Sequence, residues 1–345
     1  MNIKSLLIGS AAALAAVSGA QAADAIVAAE PEPLEYVRVC DAFGTGFFYI
    51  PGTETCLKFG GYVRFQVNVQ RGDGTSIGTS NGGTSDWDAF TRAQFEVDTR
   101  TDTELGALRG FIGFRGNADN GSSAQSGFFV DQAFIELGGL KVGKFYSWWD
   151  DGLSGETDIL SSNALFNSIR YNYDAGSFTV GVSVDELEGI AKLAGETDNN
   201  VGIAANVSFA LGGVKGALLG GYDTDNENGA VRGIFTADIG PGTLGLSGVW
   251  ASGYNSYYSV SEWSVAAEYA IKATDKLTIT PGAQYFDKVD IDADGDFTGG
   301  DAWRAGLTVD YKITDGLSTK VAVNYDDVDG EDDQVTGFVR LQRTF

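Results

Sequence analysis

From Leu57 the chain alternates apolar and polar side chains with a period of two. Leu57, Phe59, Val63, Phe65, Val67 and Val69 fall on one face; Lys58, Tyr62, Arg64, Gln66, Asn68 and Gln70 fall on the other. That period predicts a strand. Its length goes beyond the roughly five or six residues of an ordinary globular strand and beyond the roughly 9–11 that a tilted strand needs to cross a bilayer. The register follows from magnitudes. A slip of one residue would turn Arg64 toward lipid near the midplane at a cost of about 2–4 kcal/mol, so the polar face looks inward.

The same alternation recurs. A second strand, 88–101, sends Arg92, Gln94, Glu96, Asp98 and Arg100 inward and Ala93, Phe95 and Val97 outward. A third, 107–116, sends Arg109 and Arg115 inward and Leu108, Ile112 and Phe114 outward. Segments 128–138 and 140–147 do not declare their facing. Further strands are expected at 168–174, 177–184, 200–210, 214–223, 229–238, 243–251, 261–271, 277–287, 301–313, 317–326 and 334–345, sixteen in all. Short connections such as Asp102–Gly106, Gly139 and Ala175–Gly176 alternate with long polar ones such as 72–87, 117–127 and 148–167. An even strand count with short turns at one end and long loops at the other is the layout of a transmembrane β-barrel. Trp303 and Tyr311 share an outward face, roughly 20 Å apart in height on a tilted strand, near the separation of two interfacial girdles. The last strand ends on Phe345, and a terminal Phe after an alternating strand resembles the signal read by the outer-membrane assembly machinery.

The longest polar interruption is Trp148–Asn167, which carries Asp150, Asp151, Glu156 and Asp158 and no Lys or Arg. Stretches this long without regular structure, beyond about 12–15 residues, are usually functional or disordered. The expectation is a loop that folds into the barrel lumen and narrows it. Alternation sets Arg64, Arg92, Arg100, Arg109, Arg115 and Arg170 on the inner wall. Acids and bases opposed across a constriction would impose a transverse field on passing solutes. Some of these arginines would instead only pin the loop to the wall.

Composition narrows the reading further. Residues 1–22 have the form of a secretory signal, with Lys4, an apolar core from Leu6 to Val17 and an Ala20-Gln21-Ala22 cleavage site. Residues 23–56 alternate poorly; they are an N-terminal segment opened by Pro31 and Pro33 and closed by Cys40 and Cys56, the only cysteines. In an exported chain these two are expected to pair, a bond contributing about 3 kcal/mol in the chain-entropy account. The barrel then occupies 57–345. Beyond the signal there is no run of 18 or more uncharged apolar residues, so no transmembrane helix is predicted.

The formal net charge of −24 lacks the basic footprint of nucleic-acid binders and makes a mild preference for cations the expectation. With no histidine in the chain, a Ser–His–Asp arrangement is impossible. No catalytic residue, cofactor or resident metal is assigned. One acidic stretch, Asp290, Asp292, Asp294, Gly295, Asp296 and Asp301, fits the spacing of a calcium loop. It lies between two strand patterns rather than two helices, which favours a solvated external loop.

Two stretches carry a family resemblance. Glu35-Tyr-Val-Arg-Val-Cys-Asp-Ala-Phe-Gly44 with Phe48-Tyr-Ile-Pro-Gly-Thr-Glu-Thr-Cys56, and Trp149-Asp-Asp-Gly-Leu-Ser-Gly-Glu-Thr-Asp158, resemble the N-terminal signature and the constriction-loop segment of alphaproteobacterial outer-membrane general porins. The likeness runs from the signal to Phe345. It implies a 16-stranded antiparallel transmembrane β-barrel with its third long loop folded inward, assembled as a homotrimer. Such a barrel would sit among outer-membrane lipid and lipopolysaccharide and pass small hydrophilic solutes and ions by diffusion. A sugar or oligosaccharide channel, with Trp148 and Trp149 opening an aromatic slide, remains an alternative. So do a structural or adhesive barrel with a plugged pore and a soluble exported β-protein.

Overall fold

Sixteen long strands close into a ring in the computed structural model, which describes residues 37–72, 76–77, 86–119, 127–190 and 200–345. The expected signal, the Pro31–Pro33 spacer and part of the N-terminal motif lie outside these residues. The chain divides after Arg38, and Val39–Phe345 makes up the barrel unit.

A two-residue strand, β1 (Phe48–Tyr49), precedes the wall. The wall then runs β2 (Cys56–Arg71), β3 (Trp87–Thr103), β4 (Gly106–Asp119), β5 (Phe129–Leu137), β6 (Leu140–Tyr146), β7 (Leu165–Asp174), β8 (Phe178–Glu186) and β9 (Val201–Leu211). It continues through β10 (Val214–Asp223), β11 (Asn228–Ile239), β12 (Gly242–Ala251), β13 (Trp263–Lys272), β14 (Leu277–Asp287), β15 (Asp301–Thr314), β16 (Leu317–Val328) and β17 (Gln334–Thr344). Each strand pairs with its sequence neighbours, and β17 closes the ring antiparallel to β2, from Val335 opposite Arg71 to Thr344 opposite Tyr62. An even count is what lets the last strand meet the first in this sense. The sixteen segments expected from alternation are these sixteen strands, with ends displaced by a few residues.

The inside and outside of the wall exchange the roles they have in a water-soluble protein. Phe65 and Val265 are 49% and 51% exposed on the outer face, whereas Thr308 and Asn324 are 0% and 7% exposed on the inner one. Apolar surface of this extent in water marks a site of contact with lipid or protein. A closed sheet satisfies every ladder hydrogen bond within itself, the condition for crossing hydrocarbon. Outward rings pair near the long-loop end, Trp263 with Tyr285 at 5.5 Å and Trp303 with Tyr325 at 5.2 Å between centroids.

The undeclared facing of β5 and β6 has a physical cause. Phe134 and Phe145 point inward and pack with Phe111 of β4, while Ile135 and Val142 are exposed outside. Both faces are apolar, so alternation carries no contrast there. Inside, Lys141 lies 3.9 Å from the Phe134 ring centroid and 4.5 Å from that of Phe145, an arrangement that places charge against the negative faces of the rings.

The N-terminal segment is tied to the foot of the wall. Cys40 and Cys56 form a disulfide with Cα atoms 6.0 Å apart. β1 pairs with β2 at Leu57 and Cys56, just past the point where the Phe345 amide donates to the Gly61 carbonyl at 3.1 Å. It therefore continues the line of β17 along the edge of β2 that the last strand leaves open. Phe47 is buried beneath Lys58 and Arg100, 5.7 and 5.1 Å from its ring centroid.

Candidate functional site

The connection between β6 and β7 crosses the lumen to the opposite wall. It begins with a single 3₁₀ turn, Trp148–Asp150, capped by Ser147, whose Oγ accepts from the Trp149 amide at 2.9 Å. Such a cap satisfies an amide that the short turn leaves without a partner. From there the backbone has no regular secondary structure up to Leu165, and many of its polar groups are met by side chains of strands far away in sequence.

Those partners define the path. Arg232 of β11 donates to the carbonyls of Trp148, Trp149 and Leu160 at 2.6, 2.9 and 3.1 Å. Glu268 of β13 accepts from the amides of Ser154 and Gly155 at 2.7 and 2.8 Å. Thr308 of β15 accepts from the Glu156 amide at 2.8 Å, and Gln284 of β14 both accepts from the Ile159 amide and donates to its carbonyl. Lys320 and Asn324 of β16 donate to the Glu156 carboxylate and carbonyl at 2.8 and 3.1 Å. The loop is laid against β11–β16 as an added inner layer.

A second connection, between β12 and β13, folds inward beneath it. Tyr257 and Tyr258 are fully buried there. The Tyr257 ring stacks on Trp149 at 5.5 Å and meets Phe166 edge-on at 5.6 Å, and its hydroxyl donates to Asp185 Oδ2 at 2.8 Å. Burial and the neighbouring Asp185 carboxylate push the Tyr257 phenol well above its ordinary value, so it serves as a donor at all ordinary pH. Gly221 is required beneath this pair: a Cβ there would lie 2.7 Å from Tyr257 Cδ2 and 3.0 Å from Trp149 Nε1.

The four loop acids do not share one environment. Asp150 and Asp151 are exposed toward a cavity of about 650 Å³ that Glu156, Asp158, Arg304 and Lys320 also line. Both carboxyls sit above their usual range, Asp150 through reduced hydration and the adjacent Asp151, Asp151 through reduced hydration. Glu156 pairs with Lys320 at 2.8 Å and stands 3.8 Å from Arg340. Asp158 turns back under the loop, accepts from the Leu153 amide at 3.3 Å and is pushed up to about 6, chiefly by burial.

The six inward arginines separate into two groups. Arg100 and Arg109 share Asp98 at 3.0 Å each, and Arg115 pairs with Asp131 at 2.8 Å. Arg170 lies over the Phe145 and Trp148 rings at 4.7 and 4.0 Å and donates to the Tyr146 carbonyl, which fixes the start of the loop. Arg64 and Arg92 face each other across β2 and β3, and among the described residues their side-chain hydrogen bonds go to neutral amides, Gln342 and Asn117, both at 2.8 Å. A third residue completes their group: Arg340 of β17, whose Nε donates to Gln66 Oε1 at 2.6 Å. Glu156, Arg92 and Arg340 line one cavity of about 420 Å³.

Arg232 and Arg340 fall on the inward side of their strands by simple alternation, a signal that was present. Nothing in the sequence linked Glu268, Gln284 or Thr308 to the loop. Of the two tryptophans that the sugar-channel alternative would use as an aromatic slide, Trp149 is fully buried beneath Arg232 and Tyr257 and Trp148 is partly buried. In the acidic stretch 290–301, Asp292 Oδ1 accepts from the amides of Asp294 and Asp296, both at 3.0 Å. Among the described residues no group of three or more such side chains converges on a metal-sized point.

A closed barrel with a polar bore and an inward-folded loop defines a channel protein of the outer membrane. The model of the porin subfamily matches residues 24–342, and the chain belongs to that family. It is 54% identical to outer membrane protein IIIA of Rhizobium leguminosarum bv. viciae, over 96% of this chain and 92% of the relative. It is 37% identical to porin Omp2b of Brucella abortus (strain 2308) over the whole of both chains. Among solved structures, the outer membrane channel DcaP of Acinetobacter baumannii superposes with a TM-score of 0.66 at 16% identity, covering 86% of this chain and 99% of that one. The trimer form of Vibrio cholerae OmpT gives 0.61 at 15% identity, covering 85% and 100%. The protein is thus an outer-membrane porin, a water-filled channel for passive diffusion of small hydrophilic solutes and ions.

Proposed function

We propose that the sieve of this porin is the gap between the acids Asp150, Asp151 and Glu156 of the β6–β7 loop and the bases Arg64, Arg92 and Arg340 of β2, β3 and β17. The observation that carries the reading is one cavity lined by Glu156, Arg92 and Arg340 together, with Glu156 and Arg340 3.8 Å apart. Fixed charges of opposite sign at such a place make a field across the path of a solute, strongest where water is scarce. A polar solute aligns with that field; an apolar one must displace oriented water to enter. Arg100, Arg109, Arg115 and Arg170 belong to the frame in this reading, each already engaged by a carboxylate or by the loop's root.

The experiment is reversal potential in a salt gradient across a planar bilayer. Replacing Asp150, Asp151, Glu156 and Asp158 together by their amides should move selectivity toward anions. An unchanged reversal potential would remove the loop acids from the sieve.

We propose also that the protein works as a homotrimer. The short wall of β5 and β6, with 9 and 7 residues, exposes Ile135 and Val142 outward, and the fold neighbour from Vibrio cholerae has a trimer form. Conductance steps that close in threes are the expected result; steps that close singly would count against it.

A further inference from the structure

We propose that Arg64, Arg92 and Arg340 form an oxyanion subsite within the bore, where the phosphate or carboxylate group of a small anionic solute is held briefly in transit. The proposal rests on the sieve described above and adds the chemical class of solute that its basic side retains.

The three arginines are held in one repeated manner. Each uses Nε to donate to a neutral side-chain amide: Arg64 to Gln342 at 2.8 Å, Arg92 to Asn117 at 2.8 Å and Arg340 to Gln66 at 2.6 Å. Each guanidinium also lies near an inward aromatic ring two residues away on its own strand, Tyr62 at 4.9 Å, Phe90 at 5.3 Å and Phe338 at 4.3 Å. The amide and the ring orient the planar group. Its outer Nη edge keeps the fork geometry that matches two oxygens of a carboxylate or phosphate.

Charge placement makes the arrangement unusual. The chain has 47 Asp and Glu against 23 Lys and Arg, and elsewhere in the bore Arg100, Arg109, Arg115 and Arg304 each meet a carboxylate at 3.0 Å or less. Arg64 and Arg92 have no such partner among the described residues, although they stand directly opposite in register. Like charges so placed repel. Among the described residues Arg340 has Glu156 as its one carboxylate partner, at 3.8 Å, and that carboxylate is taken by Lys320 at 2.8 Å. An oxyanion seated among the three would relieve the repulsion. The adjoining cavity of about 420 Å³, lined by Arg92 and Arg340 together with Gln66, Asn68 and Asn324, has room for a small phosphorylated or carboxylated molecule, and Arg64 stands beside it, opposite Arg92 in register.

The test is conductance of the full mature chain in planar bilayers in potassium chloride, titrated with inorganic phosphate. Phosphate should lower the current saturably beyond the change in bulk conductivity, and glucose at the same concentrations should not. The Arg64→Gln, Arg92→Gln double variant should raise the half-blocking concentration at least tenfold, and Arg340→Gln alone should raise it severalfold. Arg100→Gln, which leaves Asp98 to Arg109, should keep the wild-type value. Folding of every variant is checked by heat-modifiable gel mobility, and the single Arg340→Gln variant keeps the test open if the double one fails to fold. Wild-type current that follows bulk conductivity alone, or equal block in wild type and variants, overturns the subsite and leaves the porin reading intact. A folded, inserted wild type that carries no current overturns both.

Discussion

Arg232 donates to the carbonyl of Trp149, 83 residues away in sequence, at 2.9 Å, and its guanidinium lies 5.1 Å from the indole of the same residue. Together with the bonds to Trp148 and Leu160 this clamps both ends of the constriction loop to β11. Replacement by Met removes the donors and leaves the Trp149 and Leu160 carbonyls short of partners at about 1–3 kcal/mol each where buried, while the Trp148 carbonyl keeps the Asp151 amide at 3.2 Å. The Arg232→Met channel should insert normally and show several conductance levels with greater open-channel noise. One quiet level equal to wild type would show that the clamp does not hold the loop.

Tyr257 supports the loop from beneath through its ring and through its hydroxyl, and the two can be separated. Tyr257→Phe loses only the bond to Asp185, a net effect on the order of 1–3 kcal/mol for a bond to a charged group. Tyr257→Ala also removes the packing under Trp149, about 3–5 kcal/mol for a buried aromatic. Thermal unfolding in detergent should rank wild type above Phe and Phe above Ala, with conductance noise in the reverse order. Gly221→Leu should resemble the Ala variant, because its side chain would occupy the same space.

Acidification should act on the loop in two ways. The Asp158 carboxyl is raised to about 6, above its value in the unfolded chain. Its contribution to stability is therefore full below the ordinary carboxylate range and is lost as pH rises through about 6. The loop should be quieter at pH 5 than at pH 7.5, and Asp158→Asn should abolish that difference. Asp150 and Asp151 are raised as well and lose charge earlier than ordinary carboxylates as pH falls, so reversal potentials should drift toward anions. A drift toward cations would contradict the assignment.

Replacing Cys40 and Cys56 by serine should reduce resistance to thermal unfolding by up to about 3 kcal/mol and speed exchange of the amides near Leu57. Conductance should stay close to wild type, since the sieve lies elsewhere. A large change in conductance would place the hairpin in the conduction path.

The sequence shows the wall more clearly than the bore. Lipid demands strict alternation on β2, so Phe65 beside Gln66 is enough to set its facing. On β5 and β6 the demand is met by apolar residues on both sides, Ile135 outside and Phe134 inside, and the pattern falls silent. The loop announces itself by length and by the run from Asp150 to Asp158. Its anchors do not, because Glu268, Gln284 and Thr308 are ordinary inward polar residues until the ring closes and brings them under the loop. The inward turn of the β12–β13 connection is hidden for a similar reason: Asn255, Tyr257 and Tyr258 read as a polar aromatic loop, and only burial distinguishes them.

The line that β1 draws beyond Phe345 bears on how such a wall can be finished. A sheet edge with unmade hydrogen bonds is a template for any passing strand, and the exposed foot of β2 would be one wherever the last strand stops short. Here the covering piece is bound to β2 by a bond between residues separated by only 16 positions in sequence. It needs no barrel in order to form. The patch can be in place while the remaining strands are still being added, so that β17 arrives at a seam whose end is already sealed and whose register has a fixed stop.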